Sequence, residues 1–282
     1  MTESDDATPG PPPLMELARQ LLSERTRPRD YYPRGYEKTE IPRDICSPKT
    51  LSRLESGRYR GVKLGTVLSL LRFYRTPHEL FDHIAMLVEA ARANDWCSHY
   101  ASALDDSGWF YQQCEDNASY LAFHSYSVLP SLIHSPAYYR MIRDKTEVSF
   151  DEAPDWDNGL DFRMDRRERW IGSERPALFL IGEAAISMAL GSEKEEILAD
   201  LHKIAALPFA DVRVLPFAVG FYELQSWTLN LLEYDGGEET VINVESPRGS
   251  GFIPADSTRG KFFTGALKVA SRKSIALEDF LK

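Results

Sequence analysis

Residues 47 to 57 read Ser-Pro-Lys-Thr-Leu-Ser-Arg-Leu-Glu-Ser-Gly, a run whose side chains could donate to base edges and phosphates. Ser47 offers an N-cap hydroxyl to a free amide of a first helical turn. Pro48 suits the first helical position, where no donor is lost. Leu51 and Leu54 share a face that packs inward, while Ser47, Lys49, Thr50 and Arg53 lie on or near the outward edge. An apolar back behind a front of short polar and long basic side chains is what a helix entering the major groove needs. Gly57 is placed to end the helix in a left-handed cap. Lys49, Thr50 and Arg53 are therefore the candidates for base-edge or adjacent phosphate contacts, and Ser47 for a phosphate as well as its own cap. Arg58, Arg60 and Lys63 follow as phosphate contacts, which position a helix without specifying sequence. Glu55 is expected to face its own domain and pair with an arginine. The alternative is an ordinary amphipathic helix that happens to carry a lysine and an arginine.

Other chemistry is sparse. The histidines His78, His83, His99, His124, His134 and His202 are scattered. Cys97-Ser98-His99 has no second pair at finger-like spacing, so no metal and no cofactor is expected. There is no Gly-x-Ser-x-Gly elbow and no Walker or dinucleotide glycine pattern, and no enzymatic activity is expected. Gly249-Ser250-Gly251 leads to Phe-Ile-Pro rather than to a helix start and reads as a loop. The charge-dense run Asp161 to Trp170 has two readings. Paired arginines could bind an anionic ligand, but a solvated helix face laced by pairs such as Asp165 with Arg169 is the commoner outcome. Phe217, Phe221, Tyr222 and Trp227 could line a pocket or partner groove, or be buried in the core.

The elements that must position the 47–57 run are helical. Leu14 to Glu24 forms a helix with Leu14, Leu17, Ala18, Leu21 and Leu22 on one face. Residues 64–74 form another, with apolar residues at 64, 67, 68, 71 and 74. His78 to Asn94 forms a third, with the stripe Leu80, Phe81, Ile84, Leu87, Val88 and Ala91, and is expected to cover the helical core. Between the first helix and Ser47 lies an insertion, Arg25 to Tyr36, with four arginines and three tyrosines. It reads either as an arm along the DNA backbone or minor groove or as a loop packed on its domain by its tyrosines. Pro42 interrupts the next segment, so the helix expected there is irregular or short. The second half mixes types. Helices are expected over 107–117, 135–143, 157–170, 193–206, 257–270 and 274–281, and strands over 119–125, 177–181, 212–215, 227–234 and 240–244. Asp235-Gly236-Gly237 is a turn between the last two strands.

Charge divides the same way. The 282-residue chain carries a net −10. Residues 14–75 hold fourteen Lys or Arg against seven Asp or Glu, a net of +7, which leaves nineteen against thirty-six, a net of −17, elsewhere. A basic module on an acidic body suits DNA binding by one part only. No run approaches the ~20 apolar residues of a membrane helix, and the start of the chain lacks a signal pattern. A soluble, cytoplasmic protein is expected, with Cys46, Cys97 and Cys114 reduced.

The segment Ser47 through Gly57 and Arg58 resembles the Xre, or lambda-repressor-like, helix-turn-helix family, whose corresponding segment reads roughly Ser-x-x-Thr-Ile-Ser-Arg-Ile-Glu-x-Gly-x-Arg. Leu64 to Tyr74 resembles that family's fourth helix. The insertion and Pro42 depart from it and put the phosphate contacts of the first motif helix in doubt. Val128 to Arg140 is similar to a line of actinobacterial Xre-type regulators, with His134 and Ser131 in place of the usual glutamine and glycine. Arg163-Met164 with Arg166-Arg167, Gly182-Glu183-Ala184-Ala185, Val212 to Phe217 and Val244-Glu245 fit the C-terminal domain of unknown function of those WhiJ-like regulators. The resemblance implies a transcriptional regulator of double-stranded DNA controlled by a small partner protein. A homodimer is expected, because one such helix reads few base pairs.

The expectation is thus an α+β chain: an N-terminal all-α, lambda-repressor-like helix-turn-helix domain followed by a mixed α/β regulatory domain. The expected limits are a disordered tail over 1–13, the DNA-binding domain over 14–94, a hinge over 95–106 and the regulatory and dimerisation domain over 107–282. Two alternatives stay open: a C-terminal small-molecule sensor or enzyme, and a helix-turn-helix used for protein contacts.

Overall fold

The computed structural model describes residues 13–57, 62–93, 96–100, 104, 106–147, 155–188, 193–234, 240–245 and 251–282. The tail read over 1–13 and the turn read at 235–237 fall almost wholly or wholly outside them. The chain is mixed α+β and divides into two compact units, one of residues 10–99 with 104–117 and the other of residues 100–103 with 118–282 as its main body. Residues 107–117, which the sequence reading placed at the start of the second domain, group with the first unit.

The first unit is helical: α1 (Pro13–Thr26), α2 (Pro48–Glu55), α3 (Leu64–Phe73), α4 (Glu79–Ala93) and α5 (Asp106–Asp116). Its core is Leu14, Leu17, Ala18 and Leu21 of α1, Leu51 and Leu54 of α2, Val67, Leu70 and Leu71 of α3 followed by Tyr74, Ile84 and Val88 of α4, and Trp109, Phe110 and Cys114 of α5. Each fully buried leucine contributes about 1.5–3 kcal/mol of transfer free energy. α4 packs on α1 and α3. Two stripes turn relative to expectation. Leu22 is exposed, and on α3 Leu70 joins Val67 and Leu71 in the core while Leu64 and Leu68 are only half-buried. In both cases the neighbouring helix meets a face slightly rotated from the one the spacing favoured.

Pro42 has the expected effect. In place of a regular helix the chain makes a 3-10 turn, Lys38–Glu40, and then one turn in which the Ile45 and Cys46 amides donate to the Pro42 carbonyl at 3.0 and 3.3 Å. The insertion is packed by its tyrosines. The Tyr36 ring stacks on Tyr32 at 4.6 Å and meets Phe73 at 4.9 Å. The Arg29 guanidinium is buried and donates to the carbonyls of Tyr74 (2.9 Å), Glu24 (2.6 Å) and Arg27 (2.6 Å).

The second unit is built on a seven-stranded mixed sheet of order β6-β5-β4-β1-β2-β3-β7. Its strands are β1 (Tyr120–Ser125), β2 (Ala177–Gly182), β3 (Ala210–Leu215), β4 (Thr228–Glu233), β5 (Val241–Glu245), β6 (Gly251–Pro254) and β7 (Ile275–Ala276). β1, β2 and β3 are parallel; every other pairing is antiparallel. The helices are α6 (Pro136–Lys145), α7 (Trp156–Ser173), α8 (Glu183–Met188), α9 (Lys194–Ala205), α10 (Thr258–Lys273) and α11 (Leu277–Phe280). Side chains alternate across the sheet. One face, with Ala122, Leu180, Leu231 and Ile242, packs on Phe263, Ala266, Leu267 and Ala270 of α10. The other carries Phe123 stacked on Phe179 at 5.1 Å, with Trp170 of α7 edge-on to Phe179; α6 and α9 join α7 there.

Two readings are corrected, and one element is new. Gly251 does not continue a loop but opens β6, an edge strand paired to β5 through Val244 and Gly251. The last helix does not begin at Ser274; β7 precedes it, held against β3 as Arg213 donates to the Ser274 hydroxyl at 2.8 Å and to its carbonyl at 3.0 Å. α8 was not read at all, a six-residue helix too short to show periodicity.

Candidate nucleic-acid interface

The 47–57 run is helix α2 with the expected caps. The Ser47 hydroxyl accepts from the Thr50 amide at 3.1 Å and shares a hydrogen bond with the Thr50 hydroxyl at 2.9 Å. Pro48 opens the helix. Gly57 closes it at φ +69°, its amide donating to the Leu54 carbonyl at 3.2 Å. A Cβ there would stand 3.1 Å from the Phe110 ring, so both backbone and space favour glycine.

The inner side of α2 is locked. Leu51 and Leu54 are buried in the core. Glu55, with a side chain 4% exposed, accepts both a bond from Arg25 Nε and one from Arg25 Nη2 at 3.2 Å, and Lys38 Nζ stands 3.1 Å away. Arg25 also donates to the Tyr36 carbonyl at 2.6 Å, and Lys38 to the Ser52 hydroxyl at 3.0 Å. The pairing expected of Glu55 is therefore present. Such a buried, bidentate pair fixes the helix azimuth, because turning α2 would strand the carboxylate away from its donors.

The outward side carries Ser47 and Lys49 exposed, with Thr50 and Arg53 half-buried. Lys49 and Arg53 are four apart and so share one edge of the helix. Lys63, exposed, stands just before α3. The fold thus brings Ser47, Lys49, Thr50 and Arg53 onto one short helix with Lys63 following; Arg58 and Arg60 lie outside the described residues. Arg43, exposed on the turn before α2, is a further cation that the sequence reading passed over; its place beside the Pro42 interruption was the available signal. This arrangement is consistent with a helix-turn-helix and presents hydrogen-bond donors and positive charge from a rigid platform.

In the second unit the run Asp161 to Trp170 divides. Asp161, Asp165, Glu168 and Arg169 are exposed, but Arg166 is buried and Arg163 half-buried. Arg167 pairs with Asp200 through two bonds of 2.7 and 2.9 Å. A uniformly solvated face is therefore not what the helix has, because its inner stripe lies against the sheet. Of the aromatic group, Tyr222 is buried while Phe217, Phe221 and Trp227 are exposed. Among the described residues no cluster of three or more His, Cys, Asp or Glu could hold a metal, and no helix is long and apolar enough to cross a membrane.

A family model described as a domain of unknown function, DUF5753, matches residues 111–277, more than half of the chain. The chain belongs to the DUF5753 family. The match takes in all strands of the sheet with helices α6 to α10, and leaves α2 outside it. No curated protein and no solved structure matches the chain. The DUF5753 region includes the line Val128 to Arg140 and the arginines of α7 that carried the resemblance in the sequence.

Proposed function

We propose that this chain is a sequence-specific, double-stranded-DNA-binding transcriptional regulator of the Xre type. It acts in the cytoplasm as a homodimer, and its DUF5753 domain takes in a regulatory signal from a small partner protein. The observation that carries the reading is helix α2: capped at both ends, held by Glu55 from behind, with Ser47, Lys49, Thr50 and Arg53 on its outward side. Lys49, Thr50 and Arg53 read base edges or adjacent phosphates, and Ser47, Arg58, Arg60 and Lys63 bind phosphates. The net +7 of residues 14–75 supports counterion-releasing contacts to the backbone.

Fluorescence anisotropy of the full chain on fragments of its own upstream region, across a salt series, tests this. Tight, steeply salt-dependent binding is expected, weakened by about 1–3 kcal/mol in Arg53→Ala and further in Lys49→Ala/Arg53→Ala. Equal binding by wild type and double variant refutes the assigned helix. A second reading, α2 as a protein-contact surface, is favoured by the missing regular helix before it, where only the Lys38–Glu40 and Pro42–Cys46 turns stand. Its signature is the absence of salt-dependent DNA binding.

A further inference from the structure

Helix α7 lays an inner stripe of Arg163, Arg166 and Trp170 toward the sheet, the spacing of three and four that keeps residues on one helix face. Trp170 meets Phe179, as expected of a core. The two positions before it on the stripe are arginines. The sheet is polar at the matching end. Phe123 of β1 faces Asn230 of β4, which faces Asn243 of β5; two residues further along, β1 and β5 place Ser125 and Glu245 on the same face. Polar residues at buried sheet positions need partners, and here several lack them. Asn243, 1% exposed, receives a long 3.4 Å bond from Asn230 on its carbonyl, while its side-chain amide donates to nothing among the described residues. The Ser125 hydroxyl, equally buried, has no partner among the described residues.

Arg163 shows the same deficit. Its Nη1 donates to the Gly159 carbonyl at 2.8 Å and its guanidinium lies 4.7 Å over the Tyr139 ring, but its buried Nε–H has no acceptor among the described residues. No ion pair to Arg163 is formed among the described residues. Glu245 connects the two sides: it accepts from Asn230 at 3.2 Å and its charge reaches Arg163. Burial pushes the Arg163 guanidinium below its ordinary value, with Arg166 adding to the effect. A partly desolvated cation with an unused N–H, over the sheet face that carries buried amide and hydroxyl groups lacking partners among the described residues, costs stability. One acceptor-rich anion would satisfy all of them. β1 ends at Ser125, with parallel β2 on one side and antiparallel β4 on the other.

We infer that the DUF5753 domain binds a small carboxylate-bearing molecule between α7 and the β1–β4–β5 sheet, its oxygens accepting from Arg163 Nε, the Asn243 amide and the Ser125 hydroxyl. A monoanion fits better than a phosphate dianion. Arg166 is already donating to the Ser131 hydroxyl at 2.8 Å, and the exposed Glu245 adds a negative charge at the rim that a dianion would meet. The inference stands independently of the DNA-binding reading.

The test observes the orphaned donor itself. In the isotopically labelled full chain, the Arg163 Nε–Hε resonance is assigned by its loss in Arg163→Lys and followed during titration with sodium acetate. Inorganic phosphate and sodium chloride serve as matched-ionic-strength arms. A saturable downfield shift with acetate, weaker with phosphate and absent with chloride, is expected. Asn243→Ala should weaken it about tenfold or more, the loss of one hydrogen bond to a charged group. Ser125→Ala, which removes a hydroxyl without a partner and should leave the fold intact, should weaken it by a smaller factor. A resonance that acetate moves no more than chloride does overturns the proposal. So does equal acetate affinity in wild type and Ser125→Ala together with Asn243→Ala, and a stronger response to phosphate overturns the choice of a monoanion.

Discussion

Acidification from about pH 7 to about pH 5 should destabilise the second unit by about 4 kcal/mol, and two buried histidines are responsible. His124 on β1 is fully buried; a carbonyl can only accept, so Nδ1–H donates to the Trp227 carbonyl at 2.9 Å and Nε2 accepts from the Tyr222 hydroxyl at 3.1 Å. His134 by the same logic donates Nε2–H to the Leu129 carbonyl at 2.8 Å, leaving a buried Nδ1 with no partner among the described residues. Burial lowers His124 from 6.5 to about 4. Burial first, and then the charges of Arg163 and Arg166, lower His134 from 6.5 to about 3. Both folded values lie below the unfolded one, so the unfolded chain takes up protons first. The stabilisation is complete above about pH 6.5 and is lost as pH falls toward the folded values. Near pH 5, about 1.5 units below the unfolded value, each site costs about 2 kcal/mol. For a domain of this size that total lowers the melting temperature by roughly 8–16 °C. Scanning calorimetry of wild type, His124→Gln and His134→Gln at the two pH values measures it. Each variant should be less stable near neutrality yet lose about half of the pH-dependent drop. A wild-type transition that does not move, or variants that keep the full drop, would refute the reasoning.

Three substitutions test the packing of the first unit and of the sheet. Among the described residues Arg25→Ala leaves the buried Glu55 carboxylate with Lys38 alone beside it, and urea unfolding should report a loss of about 3 kcal/mol; a loss under about 1 kcal/mol would mean the pair does not hold α2. Gly57→Ala forces a side chain into φ +69° and against Phe110, with an expected cost of about 1–3 kcal/mol in the same assay. In Gly182→Ala the new Cβ would stand 2.3 Å from the Tyr126 carbonyl oxygen. Backbone cannot yield as a side-chain tip can, so a cost of about 3 kcal/mol or more and poor soluble expression are expected, and wild-type melting would contradict the close approach.

What the sequence determined by itself was whatever its neighbours in the chain could decide. Ser47, Pro48 and Gly57 bound α2 through contacts no more than a few residues long, so they were legible as letters. The same holds for the short apolar runs that became β1 to β5 and for the proline that broke the helix before α2. The direction of Glu55 was readable too, because a carboxylate on the inner side of a basic module has few other fates. Tertiary structure decided the rest. Leu22 is exposed, and Leu70 is buried where Leu64 and Leu68 were expected to be, because a rotation of one helix against its neighbour leaves the spacing unchanged. β6 and β7 are too short to carry a period and exist only through pairing with β5 and β3. The insertion could have been an arm or a packed loop until Tyr36 met Phe73 and Arg29 found the carbonyls of Glu24 and Tyr74, partners brought close only by folding. Arg163 and Arg166 looked like surface charges for the same reason. The sequence shows that they share a helix face, but only the sheet beneath α7, with Asn230, Asn243 and Ser125 on that side, makes the face an interior one.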